Sequence, residues 1–470
     1  MERKVATAYA GPGVDEVIAK SCAQPEVNNM KRIRITLCLL MFSAIATIAV
    51  AANAAARTVV VGTGIPDIDV PAVQAAVDQG GEVLLKGHFS FNRPPTVPEA
   101  PEPSVLTGGF ATVLVGKAVV ISGTQDGDEE MASIEGGTTP FYVDAPGASV
   151  TIQRLRFIRP RVDAVLVYAV RGLVMASCRI EGVEMAFGGG AGIQILTSPG
   201  QPMPATPGKP ENVSGTLVIV NNNMDLTGAT AADAAIGVQI FSVGVPGAEV
   251  EAYISGNTIR NVTEPAINIR RVVGRVSVER NVITTGSLVR VATGDPRPQA
   301  IRAANGLGSY LIAHNAIDCG WPGANAEGIG VFSQVAVWPM TGAVVVNNDI
   351  TMSAPAGTVF GDFSAAIGVF GFTEGTVVRN NRIQGRARAA LSIPVFPLPP
   401  QVAAVPANNA FILNRFDDFQ ASEADVFVGF GALNTRIVGA GTIEDLGIGT
   451  TIVRLPRSGE SEDDHKDRDR

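Results

Sequence analysis

Apolar and polar residues alternate along most of this chain, and each alternation ends on the same punctuation: Asn, any residue, then Ile, Met or Phe. The element reads Val218-Ile219-Val220-Asn221-Asn222-Asn223-Met224, then Tyr253-Ile254-Ser255-Gly256-Asn257-Thr258-Ile259. It returns at Val276 to Ile283, Leu311 to Ile317, Val344 to Ile350, Val377 to Ile383 and Phe411 to Phe416. An earlier copy, Leu173 to Ile180, carries Cys178 where the others carry Asn. The intervals from Asn315 to Asn348, Asn381 and Asn414 are each 33 residues, a fixed period that marks a repeat architecture.

A second strand follows each copy. The triplets Val165-Leu166-Val167, Ile193-Gln194-Ile195, Ile236-Gly237-Val238, Ile267-Asn268-Ile269 and Ile301-Arg302-Ala303 align, and so do Ile329-Gly330-Val331, Ile367-Gly368-Val369, Leu391-Ser392-Ile393 and Val426-Phe427-Val428. Alternation with period 2 turns the first and third residue of each triplet inward and the middle one outward. One coil has no core of its own. Only stacking buries its Ile and Val, and stacking successive coils makes the sheets parallel.

The Asn corner has a chemical reason. Asn tolerates the left-handed backbone of a tight turn, and its amide both donates and accepts, so identical residues on successive coils can bond to one another. Asn222, Asn257, Asn281, Asn315, Asn348, Asn381 and Asn414 are therefore expected to form a structural ladder. At the start of the stack, Asp69 to Asp78 reads as a short amphipathic helix with Asp69 as N-cap, stopped by Gly80-Gly81 and followed by the strand Glu82 to Leu85. It should plug the first coil.

Composition agrees with an all-β solenoid. Of 470 residues 46% are hydrophobic and 17% charged, Gly (52) and Pro (30) are plentiful, and aromatics are only 6%. A net charge of -8 argues against a nucleic-acid partner, because phosphates require a basic stripe. Residues 30–56 read as a signal peptide: Met30-Lys31-Arg32-Ile33-Arg34 is a basic start, Ile35 to Val50 is apolar, and the Ala-rich stretch after it offers a small-residue cleavage site. Residues 1–29 read as an over-extended start, 57–455 as the solenoid, and 456–470 as a charged, disordered tail. A secreted, periplasmic or cell-surface protein follows, with no stable membrane insertion after cleavage; the alternative is an uncleaved membrane anchor, since the apolar run approaches ~20 residues. Cys178 and Cys319 should lie about four coils apart, ~19 Å at one strand spacing per coil, which is beyond disulfide reach. Both are expected as buried free thiols.

The capping helix, the Gly-Gly turn, the Val-Leu-Leu strand and the coils with Asn-x-Ile together resemble the pectate-lyase-like superfamily of right-handed parallel β-helices, over about residues 58 to 450. The nearest likeness is to bacterial β-helix repeat proteins of the carbohydrate-binding and sugar-hydrolase type. That resemblance implies an acidic polysaccharide bound in a groove along one sheet. The polygalacturonase-like signatures are missing, since Asp417-Asp418 follows Arg382-Ile383-Gln384 and no Gly-His-Gly occurs. Asp126, Asp128, Glu129 and Glu130 cluster in one loop, where calcium ligation of the pectate-lyase kind would need Asp residues on one sheet. No metal-ligand spacing, P-loop or nucleophile elbow is present, and the sequence assigns no cofactor.

The outward positions of the triplet column are where chemistry is expected. They include Gln194, Asn268 and Arg302, and two residues beyond the middle position come Tyr168, Gln239, Arg270, Phe332 and Phe370. Amides and Arg recognise hydroxyls and carboxylates, and aromatic faces stack on sugar rings, so these residues are the candidate polysaccharide contacts. Asp163, Asp233, Glu264, Glu327 and Glu423 sit just before the strands. Glu264 and Glu327, two coils or ~10 Å apart in backbone, could bring their side chains within the separation of a glycosidase acid pair, with Arg302 on the coil between. These three are the catalytic candidates; charges at strand edges more often bond turns and one another. His88 and His314 read as structural. Binding of polysaccharide without catalysis comes first, a polysaccharide lyase or glycoside hydrolase on acidic glycans second, and a surface structural or adhesin-like role third.

Overall fold

The computed structural model describes residues 57–92, 112–124, 131–184, 189–197, 209–230, 232–288, 298–320, 325–394, 405–439 and 441–454. The expected leader, the acidic loop at Asp126 to Glu130 and the charged tail lie outside them.

Each coil contributes up to three strands, one to each face of the stack. Sheet 1 holds the strands that lead into the Asn corner, such as Val250–Ser255 and Leu307–Ala313. Sheet 2 holds short strands directly after it, such as Thr258–Arg260 and Asp349–Ser353. Sheet 3 holds the triplets, within strands such as Gln299–Ala304 and Glu327–Ser333. All these ladders run parallel between successive coils. Two strands, Val165–Ala176 and Ile267–Glu279, pass unbroken from sheet 3 into sheet 1. The chain is a right-handed parallel β-helix, the handedness that parallel crossovers take. The short strands of sheet 2 begin within the Asn-x-Ile punctuation, and the Ile, Met or Phe of that motif is their inward residue.

The core is the predicted one. Ile193, Ile195, Ile267, Ile269, Ile301, Ile329 and Ile367 are fully buried, and Ile236 is nearly so. Fully burying such a side chain contributes roughly 1.5–3 kcal/mol, and here the stack supplies the neighbours that a single coil lacks. One alignment shifts. Gln194 pairs with Gln239 and Gln239 with Asn268, so Val238-Gln239-Ile240, not Ile236-Gly237-Val238, is the triplet of that coil. The slip is two residues, which preserves the inward face and therefore leaves no trace in the hydrophobic pattern.

The ladder forms, with one change in where the strain sits. Asn257 Nδ2 donates to Asn281 Oδ1 at 2.9 Å, Asn281 Nδ2 to Asn315 Oδ1 at 3.0 Å, and Asn315 Nδ2 to Asn348 Oδ1 at 2.9 Å. Cys178 occupies the first rung, its backbone N–H donating to Asn222 Oδ1 at 2.9 Å. The left-handed backbone belongs to the residue before each rung: Ser177, Asn221, Arg280, His314, Asn347, Asn380 and Leu413 all have φ between 54° and 57°. The doubled Asn-Asn of three copies thus serves two needs, a turn former followed by a ladder amide. Leu413 meets the turn requirement poorly, and it is 46% exposed. Leu413→Asn should raise stability by about 1 kcal/mol, read as a higher urea midpoint, because Asn adopts this backbone at lower cost and no packing is lost. A lower midpoint would show that Leu413 packs in a way its exposure hides.

The cap also differs in detail. The strand Thr58–Val61 precedes the helix, and the helix runs Pro66–Gln79 with Ile65 at its N-cap position. Asp69 is inside the helix, buried, and not its N-cap. Its Oδ1 accepts from Thr63 N and Oγ1, both at 2.8 Å, and its Oδ2 from Ser90 N at 2.9 Å. The carboxylate therefore ties the plug to the first coil. Cys178 and Cys319 are buried free thiols. Burial pushes the Cys178 thiol up to about 12 and raises that of Cys319 too.

Candidate functional site

Outward positions of sheet 3 form two columns. The first runs Leu166, Gln194, Gln239, Asn268, Arg302, Gly330, Gly368, Ser392 and Phe427. The second, two residues on, runs Leu196, Phe241, Arg270, Ala304, Phe332 and Phe370. Gln239 therefore stands in the first column, and Phe241 takes the place beside Arg270. Tyr168 lies at an irregularity in the register, with its ring 6.3 Å from that of Tyr142.

These columns do not make one open groove. Phe332 and Phe370 are 1% and 0% exposed, and their rings stack on each other at 4.5 Å with 10° between planes. The open aromatic platforms expected from alternation are thus sealed at these two positions. Alternation says which face of the sheet a residue takes, but not what covers that face. Phe363, from the segment after the sheet 2 strand Asp349–Ser353, packs its ring 5.8 Å from that of Phe370.

Beside this pair lies a chain of buried polar groups. Arg302 Nε donates to Gln299 Oε1 at 2.5 Å, and Gln299 Nε2 donates to Glu327 Oε2 at 2.5 Å. Glu327 is fully buried and Arg302 is 5% exposed. Glycine makes the arrangement possible. A Cβ on Gly368 would lie 2.5 Å from Glu327 Oε1, and one on Gly330 would lie 2.5 Å from Gln299 Nε2. Gly330 and Gly368, the outward middle residues of their triplets, are thus the bed on which Glu327 and Gln299 lie. Gln299 was not among the candidates; its register with Glu327 could be seen only once the coil was placed.

Glu264 is half-buried just before its strand. Asp233 caps a turn, accepting from Thr230 N at 2.7 Å and Oγ1 at 2.8 Å. Glu423 pairs with Arg388, whose guanidinium lies 4.7 Å over the Phe427 ring. These last two behave as strand-edge charges.

The other half of the face is more open. Gln194, Gln239, Phe241, Arg270 and Arg271 are half-buried, on three neighbouring strands. The guanidiniums of Arg270 and Arg271 lie 5.5 and 5.6 Å from the centre of the Phe241 ring. Asn268, next in the first column, is buried, and its Oδ1 has no hydrogen-bond partner. Phe241 is hidden from the sequence reading by the two-residue slip of its coil, and Arg271 by lying one residue past the outward column, where alternation alone would turn it inward.

Asp163 stands at the edge of this half. It is buried, its Oδ1 accepts from Ala191 N at 2.6 Å, and burial pushes its carboxyl up to about 7 against that bond. Turned one way, the Gln194 amide presents its oxygen to Asp163, as a protonated acid requires. Turned over, its nitrogen donates to the two carboxylate oxygens at 2.9 and 3.1 Å. Among the described residues no three His, Cys, Asp or Glu side chains gather as metal ligands would.

No protein-family model matches this chain, and no curated protein does. Among solved structures, the chain is similar to PfbA, a surface adhesin of Streptococcus pneumoniae, at 13% identity and TM-score 0.39, over 85% of this chain and 94% of that one. It is similar to a mannuronic acid specific polysaccharide family 6 lyase from human gut microbiota at 14% identity and TM-score 0.34, over 85% and 91%. A third likeness is to the tailspike protein of Acinetobacter baumannii phage AM24, at 13% identity and TM-score 0.29, over 77% and 51%. The continuous Asn ladder and the parallel register from coil to coil identify the chain itself as a right-handed parallel β-helix, the fold expected of the pectate-lyase-like superfamily.

Proposed function

We propose that this protein is an exported β-helix that binds an acidic polysaccharide across the open part of sheet 3, from Gln194 to Arg271. The observation that carries the reading is the set of amides and guanidiniums gathered around the Phe241 ring on three successive strands, with Arg270 and Arg271 at 5.5 and 5.6 Å from its centre. Neighbouring strands lie ~4.8 Å apart, so a polymer crossing them meets a new row of donors at each coil. Guanidiniums pair with uronate carboxylates, and the amides with hydroxyls. The buried Asn268 Oδ1 adds an acceptor without a partner next to this row. Export rests on the leader reading of residues 30–56.

The test is binding of the mature protein to immobilised uronate and neutral polysaccharides. Phe241→Ala with Arg271→Ala should weaken uronate binding by roughly 10- to 100-fold, in the range of two charge-assisted or cation–π contacts, and the loss should shrink at high salt. Unchanged affinity in the double variant would overturn the proposal.

A second reading, polysaccharide lyase or glycoside hydrolase, is supported by the Arg302–Gln299–Glu327 chain, a carboxylate and a guanidinium held away from water. It ranks behind binding because a substrate reaches a fully buried Glu327 only if the cover moves. Release of unsaturated uronate or new reducing ends by the wild type, abolished by Glu327→Gln without loss of thermal stability, would establish it in place of simple binding.

A further inference from the structure

On sheet 2, away from the proposed glycan face, three side chains of the first coils form a separate constellation. His88 is the outward residue of the strand His88–Ser90, and Ser133 and Glu135 are the two outward residues of the neighbouring strand Ser133–Glu135. The register pairs His88 with Ser133 and Ser90 with Glu135, and Phe89 and Ile134 point into the core between them. Ser133 Oγ is 3.0 Å from His88 Nδ1, and Glu135 Oε2 is 3.5 Å from His88 Nε2. One tautomer satisfies both contacts: Nε2 protonated and facing the carboxylate, Nδ1 bare and accepting from the serine hydroxyl. Glu135 is held in turn by Arg159 through its other oxygen.

We propose that Ser133, His88 and Glu135 form a serine esterase site that removes a short acyl group from a polar carrier. A nucleophile within hydrogen-bond reach of a base, with that base oriented by a third group, is the arrangement that activates a hydroxyl. The third contact is long at 3.5 Å, and such bonds tighten when substrate binds. In the reaction Ser133 Oγ attacks the ester carbonyl carbon while its proton passes to His88 Nδ1. The carbonyl carbon then releases the alkoxy oxygen, which leaves as the alcohol with that proton. Water attacks the acyl-serine, Nδ1 takes the water's proton, and the carboxylic acid departs as the proton returns to Oγ. No other reactant is required.

The surroundings set the substrate class. Arg156 is in register with Ser133 on the next strand, about one strand spacing of ~4.8 Å away, and its guanidinium is held by Glu181 Oε2 on the strand beyond, at 2.9 Å from Nε and 2.6 Å from the terminal nitrogen, so the positive charge stands beside the site without being spent on His88 or Glu135. The neighbours Arg156, Glu135, Arg159 and His88 are all polar, which suits an acetyl-sized group and disfavours a long acyl chain. The imidazole is 47% exposed at the side chain, so the base is open to solvent, whereas Ser133 beneath it is 8% exposed. Glu135 acts through His88 and is a positioning residue. The site does not depend on glycan binding at sheet 3.

The experiment treats the folded protein with a fluorophosphonate probe and, separately, follows hydrolysis of p-nitrophenyl acetate. Ser133 should carry the adduct by peptide mapping. Ser133→Ala and His88→Ala should each lower hydrolysis by ~100-fold or more, the usual scale of general-base assistance, with thermal unfolding unchanged. Glu135→Gln should lower kcat while KM stays constant. Absence of labelling at Ser133 in the folded wild type would overturn the site, and so would hydrolysis that survives Ser133→Ala but not His88→Ala, which would mark His88 as a simple surface nucleophile.

Discussion

Replacing Asn315 by Ala should destabilise the protein by roughly 3–5 kcal/mol, whereas the same change at Asn414 should cost less than half as much. Asn315 Oδ1 accepts from both Asn281 N and Asn281 Nδ2 at 3.0 Å, while its Nδ2 donates to Val278 O at 2.9 Å and Asn348 Oδ1 at 2.9 Å. Truncation leaves the buried Asn281 backbone N–H without an acceptor and takes one of the two bonds of its amide nitrogen, which keeps Ile254 O at 2.9 Å, while Val278 O and Asn348 Oδ1 each lose a donor; each such buried loss costs ~1–3 kcal/mol. Interior rungs have no water to fall back on. Asn414 ends the described ladder in a part-buried position, so the Asn381 donors it receives at 3.0 and 2.9 Å can turn to solvent. Urea midpoints of the two variants measure the difference. Equal losses would mean that the ladder contributes rung by rung regardless of burial, contrary to the argument from desolvation.

Asp163→Asn should stabilise the protein at pH 8 and leave it nearly unchanged at pH 4. In the fold burial pushes the Asp163 carboxyl up to about 7, above the ~3.9 of an unfolded chain. Between those values the folded state binds the extra proton, so stability is fully present below about 4, falls as pH rises, and levels off above about 7. The gap corresponds to ~4 kcal/mol at 1.36 kcal/mol per tenfold in acidity. Asn retains an oxygen for Ala191 N and brings a donor for the Gln194 oxygen, so it reproduces the protonated form at every pH. Melting temperatures of the two proteins compared at pH 4, 6 and 8 should diverge with rising pH. A constant difference would show that Asp163 does not titrate with folding.

Both expectations bear on what could be read in advance. The repeat, its parallel stacking, the buried first and third residues of the triplets and the Asn ladder follow from the sequence, because each depends on a local period that recurs. Asn221-Asn222 and Asn347-Asn348 display the corner as plainly as the ladder bonds do. What depends on register across coils is not legible there: Gly237 takes the place of Gln239 in the first column, and Phe241 drops out of the second with it. A slip by two residues keeps every apolar side chain inward, so no hydrophobic count can detect it.

The candidate site divides along the same line. Sequence alone determined that amides, Arg and aromatic residues lie on the outer side of sheet 3, since a strand's period fixes which face a side chain takes. Tertiary structure decided which of them stay accessible: Phe332, Phe370, Arg302 and Glu327 are buried, whereas Gln194, Gln239 and Arg270 remain half-open. It also decided that Glu327 rests on Gly330 and Gly368, and that His88 meets Ser133 from 45 residues away. The physical reason is that facing is set within one strand by covalent geometry, whereas cover, close approach and cross-strand partnership arise only between segments that the chain brings together when its coils stack.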